Sequence, residues 1–275
     1  MCSFRSIFWT PVLLLLLASS WLLLNYVLPQ NVIYLSTFSK TIVVYSLIGF
    51  LSSVEAYYYW GNPASYLGKS FRMFSAGLFF TFIGQLSYTY TYLDVLSSNP
   101  YPNYIELFFL LSLICYLVGA YFLGRNIELK LPTQKSQRAF LYCLGVCLFL
   151  ACLMILITID SSISSMGVLL LLEVFYPIGQ IAIISILLSF TFFSLSLFAK
   201  EFFPGMLILF MAFVANFFAD LLFTFLSYNR LWRPGDLSDL LYGLSYVLIG
   251  YAMALLSRTY YRNNKFDLII MESLE

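Results

Sequence analysis

The sequence predicts an all-α integral membrane protein of eight transmembrane helices with both termini in the cytoplasm, and three observations carry that expectation. The chain is 61% hydrophobic and only 10% charged, too apolar for a soluble domain that must wet its surface. Apolar stretches of the ~20 residues that a helix needs to cross a hydrocarbon layer recur eight times, at 7–28, 41–60, 71–93, 104–124, 139–159, 167–198, 204–227 and 237–257. The positive charges then alternate from loop to loop. With the amino terminus inside, the inner segments hold Arg5, Lys69, Arg72, Arg125, Lys130, Lys135, Arg138, Lys200, Arg258, Arg262 and Lys265, against Lys40, Arg230 and Arg233 outside. This is the pattern of a multi-pass protein of the cell membrane, with the lipid bilayer as its first partner.

The first span mimics a signal peptide, since Arg5 precedes a leucine run and Ala18-Ser19-Ser20 follows it. Its apolar character continues through Trp21 to Val27, too long for a signal peptide's core, so it is expected to stay. The second span ends in Tyr57-Tyr58-Tyr59-Trp60, an interfacial aromatic belt, with Glu55 one turn inside it and within reach of Lys69 or Arg72. The polar loop 124–138 divides the chain into four-helix units at 1–130 and 131–258, followed by a short cytoplasmic tail, 259–275, expected to fray. In the sixth span Pro177 removes a backbone donor and predicts a bend.

The two units look related. The stretch from Gly84 can be laid over that from Ala219 with a two-residue gap, so that Gln85 falls on Asp220, Glu106 on Asp239 and Gly119 near Gly250. Because each unit has an even number of spans, the two would run in the same direction as a parallel repeat.

Several chemistries are excluded. A net charge of +1 offers no basic face for nucleic acid. Histidine is absent, which removes His-ligated haem, His-containing zinc sites and Ser-His or Cys-His nucleophile pairs. The five cysteines, Cys2, Cys115, Cys143, Cys147 and Cys152, read as small packing residues. No acidic lipid-enzyme cluster or glycine-flanked serine nucleophile is present, and the lysines sit in loops or at span ends, unsuited to a buried Schiff base. Neither enzymatic activity, a metal nor a cofactor is therefore expected.

What remains is a set of polar residues that an apolar chain must have a reason to keep. Asp220 lies inside the seventh span, where a carboxylate costs about 2.5–3.5 kcal/mol; Asn216, one turn earlier, shares its face. Glu106 and Asp239 each begin an apolar span, preceded at capping-box spacing by Asn103 and Asp236. Glu173, Tyr176 and Gln180 flank the proline of the sixth span, and Gln85 closes the third. All fall toward the outer surface; Glu173, Tyr176, Gln180, Asp220 and Asp239 are expected to line one outward-facing pocket, with Asn216, Gln85 and Glu106 as further ligand-binding candidates.

Tyr176-Pro177-Ile178-Gly179-Gln180, then Ala219-Asp220, then Gly235-x-Leu237-x-Asp239 followed by Tyr242-Gly243-Leu244-Ser245-Tyr246, resembles the multi-span membrane region found ahead of GGDEF and EAL domains and of some sensor kinases. Pro102-Asn103-Tyr104-Ile105-Glu106 echoes the pattern in the first half. Gln180 stands where that pattern has an acid, and Glu106 where it has Asp. The resemblance implies a sensory or ligand-responsive module, here expected to stand alone without an output domain and to signal to a separate cytoplasmic protein. A small-solute transporter is the second expectation, since a two-fold repeat with buried acids also suits alternating access.

Overall fold

A computed structural model describes residues 5–27, 32–60, 62–90, 105–128, 145, 167–197, 202–228 and 231–272. These residues form helices, with no strand among them. In chain order they are α1 (Arg5–Leu22), continued by a π-helical turn (Leu23–Val27), α2 (Val32–Trp60), α3 (Tyr66–Tyr88), α4 (Glu106–Glu128), α5 (Gly167–Leu197), α6 (Phe203–Tyr228) and α7 (Leu237–Glu272).

Five stretches of the described residues are long and apolar enough to cross a membrane, where eight were expected: Trp9–Tyr26, Lys40–Trp60, Glu106–Arg125, Phe203–Ser227 and Leu237–Thr259. The expected third span is a helix from Tyr66 to Tyr88, but Arg72 and Gln85 dilute its apolar run. The expected fifth, 139–159, lies outside the described residues apart from Gly145, and only Tyr176–Thr191 of the sixth registers as an apolar stretch. The α5 helix carries Pro177 inside it. One further expectation is corrected. The tail does not fray at Arg258 but extends α7 to Glu272, 36 residues or ~54 Å at 1.5 Å per residue, longer than a hydrocarbon core is thick.

The chain's outer face is leucine, tyrosine and phenylalanine. On α1, Leu15 is 71% exposed and Leu16 is also exposed, whereas Leu17 is buried, as expected of a helix with one seam to the protein and the rest to lipid. Inside, glycine and serine let the backbones approach. A Cβ on Gly49 of α2 would stand 2.3 Å from the Tyr246 carbonyl oxygen of α7, and one on Gly250 would stand 2.5 Å from the Gly49 carbonyl. The Ser257 hydroxyl donates to the Ala56 carbonyl at 2.9 Å farther along the same seam. This small-residue packing is what binds helices together where lipid is as apolar as leucine. It also joins α2 directly to α7, helices assigned above to different four-helix units.

The connections that are described are short and polar. Ser65 caps α3 by accepting the Gly68 N–H at 3.0 Å, and the Trp60 indole donates to the same hydroxyl at 2.9 Å, fixing the α2–α3 corner. At this end Lys69 stands 5.4 Å from the Tyr66 ring centre and 5.9 Å from that of Phe122. At the opposite end the α6–α7 loop turns at Gly235, whose φ of 82° is left-handed. The Gly235 carbonyl accepts from the Trp21 indole at 3.0 Å and from Asn25 at 3.3 Å. The π-helical turn that ends α1 thus presents Asn25 to this loop.

Candidate functional site

At the end of the bundle that carries Gly235, α3, α4, α5, α6 and α7 enclose a cavity of about 140 Å³. Each helix contributes residues at helical spacing: Thr81, Gln85 and Tyr88 from α3; Glu106, Phe109, Leu113 and Tyr116 from α4; Tyr176, Gln180 and Ile183 from α5. From α6 come Phe213, Asn216, Asp220 and Thr224, and from α7 Asp239, Tyr242 and Tyr246. Among the described residues, no lysine or arginine lines it.

Seven of the eight residues proposed from sequence therefore meet in one place: Gln85, Glu106, Tyr176, Gln180, Asn216, Asp220 and Asp239. The eighth, Glu173, belongs to α5, and its side chain is outside the described residues.

Asp220 is the hub. Its two carboxylate oxygens accept from the Gln180 amide of α5 and the Tyr242 hydroxyl of α7, tying three helices together. Tyr242 stacks on Tyr246 with ring centres 6.1 Å apart, and Tyr246 accepts from the Gln85 amide of α3 at 3.1 Å. Asn216 shares the cavity wall with Asp220 but takes its hydrogen bond from α7, where Ser245 donates to its Oδ1 at 3.1 Å. Across the cavity, Tyr176 donates to the Glu106 backbone carbonyl at 2.9 Å, leaving the Glu106 side chain as one of the lining groups.

The expected capping box at Asp236 and Asp239 is altered. Asp239 accepts from the Gly235 N–H at 2.7 Å, and the Asp236 side chain turns back to accept from the Arg233 N–H, also at 2.7 Å. With φ positive at Gly235, the chain presents its N–H to Asp239 one residue earlier than the box would. Burial raises the Asp236 carboxyl above its ordinary range, opposed by the Arg233 N–H and the Arg233 charge. Asp239 thus both pins the loop and lines the cavity.

The deep wall is hydroxyl and ring. The Thr81 hydroxyl lies 2.7 Å from that of Ser112 and 3.1 Å from that of Tyr116, all three buried. Phe74, Tyr116 and Phe213 close this end, with Tyr116 edge-on to Phe213 at 5.1 Å. Near the Gly235 loop Trp232 stands edge-on to Tyr88 at 6.1 Å and to Phe223 at 5.8 Å, two of the lining residues.

Sequence reasoning passed over Thr81, Ser112, Tyr116, Tyr242 and Tyr246 as site residues. A signal for the last two was present: Asp239, Tyr242 and Tyr246 fall at i, i+3 and i+7, one face of a helix. Thr81 stands in the same relation to Gln85, one turn earlier. For Tyr116 there was none, because 28 phenylalanines and 22 tyrosines make an aromatic residue at helical spacing uninformative here.

No family model, no curated protein and no solved structure matches this chain, so its likeness to the membrane regions ahead of GGDEF and EAL domains rests on the quoted motif residues alone.

Proposed function

We propose that this chain is a membrane-embedded, ligand-responsive module that takes a small molecule into the Asp220 cavity and passes the event to a separate partner. The observation that carries the proposal is the convergence of polar residues from five helices on one cavity of about 140 Å³ in an otherwise apolar bundle. Polar side chains that served only to glue helices would be spread along the seams, as Ser257 is, rather than gathered around one space.

The orientation follows the charge pattern. Lys69 and Arg72 of α3 lie at the end opposite the cavity, where α3 leaves the α2 corner, so the positive-inside rule turns the cavity outward. A ligand there changes contacts on α7, which runs past the span to Glu272 on the inner side. That helix is the natural carrier of a signal.

The test is purification of the intact protein from its native membrane, with mass spectrometry of small molecules bound to wild type and to Asp220→Asn. A molecule that accompanies the wild type and is lost from the variant at equal protein recovery supports the reading. Identical small-molecule profiles would sink it. Counterflow of the recovered molecule in proteoliposomes separates the second function, since accumulation inside the vesicles replaces the sensor with a small-solute transporter.

A further inference from the structure

We infer that the ligand of this cavity is a small organic cation, an ammonium group carried on a flat or compact apolar body. The inference rests on the ligand-binding reading above and narrows it to one chemical class.

Two carboxylates, Glu106 and Asp220, line the cavity with no lysine or arginine among the described lining residues, and Asp239, held by the Gly235 N–H, lines it beside them. The donors that Asp220 receives from Gln180 and Tyr242 are both neutral. Neutral donors orient a carboxylate without supplying a counter-charge, and in a medium of low dielectric a cation beside such a group is attracted strongly.

A second observation is independent of the acids. Gln180 is only 4% exposed, and because its amide nitrogen faces Asp220 its Oε1 is turned the other way, where it accepts no hydrogen bond from any described residue. A buried amide oxygen is an acceptor that needs a donor. An ammonium brings up to three N–H donors and no acceptor, matching Gln180 Oε1 and the carboxylates of Glu106 and Asp220.

The rest of the lining fixes the body of the ligand. Tyr176, Tyr242, Tyr246 and Phe217 are among the residues that line the cavity, and aromatic lining is the setting in which organic ammonium ions gain cation–π attraction. A hard metal ion is a poor fit, because it takes six or more oxygens at short range and no group of three potential metal ligands stands together among the described residues. A volume of about 140 Å³ admits a molecule of single-ring size.

The experiment is calorimetric titration of the full chain in maltoside micelles, corrected against empty micelles, with benzylammonium, benzyl alcohol and benzoate. These three probes share a ring and differ in charge. Saturable binding of benzylammonium, weakened roughly tenfold or more in Asp220→Asn and in Glu106→Gln and exceeding that of both other probes, is the expected result. If Asp220→Asn is not monodisperse, Glu106→Gln alone decides. Equal binding of benzyl alcohol, insensitive to either variant, would overturn the cation while leaving a ligand cavity in place. Benzylammonium binding that neither variant weakens would overturn the site. No binding of any probe would overturn the inference, and the co-purification described above then tests ligand binding separately.

Discussion

The seam between α2 and α7 and the cavity beside it are both rich in groups that lipid does not tolerate, yet they dispose of them in opposite ways. On α2, the helix that forms the seam, buried Ser46 and Ser53 donate to the carbonyls of Val43 and Phe50 on their own helix, at 2.8 and 2.6 Å. Such serines behave as small residues whose hydroxyl is satisfied locally, so the two backbones can close to contact. In the cavity the polar groups reach across: Gln180 to Asp220, Tyr242 to Asp220, Gln85 to Tyr246, Ser245 to Asn216. Small side chains, bonded within their helix or directly to the facing backbone as Ser257 is, let the backbones close, whereas long side chains bonded across helices leave a shared space between them. Polarity in a membrane helix therefore says little until its partner is known.

The two regions are also coupled, because Gly49 receives the Tyr246 carbonyl while the Tyr246 side chain faces the cavity. Gly49→Val should break both at once. Its first side-chain carbon would already lie 2.3 Å from that carbonyl, and we expect a loss of about 3 kcal/mol, read as a lower thermal midpoint in detergent together with loss of any ligand response. An unchanged midpoint would mean that the seam is looser than it looks.

Tyr242→Phe should separate them. It removes one donor from Asp220 and leaves the packing of the seam in place, so a cost of about 1–3 kcal/mol is expected, accompanied by weaker benzylammonium binding. Stability and binding would have to stay at wild-type values for the hub role of Asp220 to be wrong.

Gly235→Ala probes the loop that Asp239, Trp21 and Asn25 hold in a left-handed turn. An alanine there should cost about 1–2 kcal/mol, measured by thermal unfolding, and Gly235→Asn should cost less because asparagine tolerates this conformation. Equal effects of the two would remove the conformational explanation. Ser53→Ala is expected to be nearly silent, within about 0.5 kcal/mol, since only a hydroxyl bonded within its own helix is lost; a large effect would show that the seam depends on its serines as polar groups.

Much of the site could be read from the residues. Asp220 stood out because a carboxylate in the middle of FFADLLF must face a partner helix or a wet cavity, and Glu106, Asp239, Gln85, Tyr176 and Gln180 followed from depth and side. The capping-box reading of Asp236 and Asp239 failed because spacing does not reveal that Gly235 takes a positive φ and hands its own N–H to Asp239. The count of eight spans ran ahead of the described residues, and the third helix shows why hydropathy alone misleads: Lys69 stands over the Tyr66 and Phe122 rings, so its charge is no bar to helix formation but makes the stretch less apolar.

By itself, the sequence determined that this chain is helical and built for lipid, and which of its polar residues lie at one depth, because both follow from hydropathy and helical spacing along a single strand of residues. Only the tertiary structure decided that Tyr242 meets Asp220, that Gln180 bridges from α5, and that α2 lies against α7 across some 200 intervening residues, as Ser257 against Ala56 shows. Those choices depend on which glycine of one helix receives which carbonyl of another, a complementarity of shape between surfaces that no period within one helix encodes.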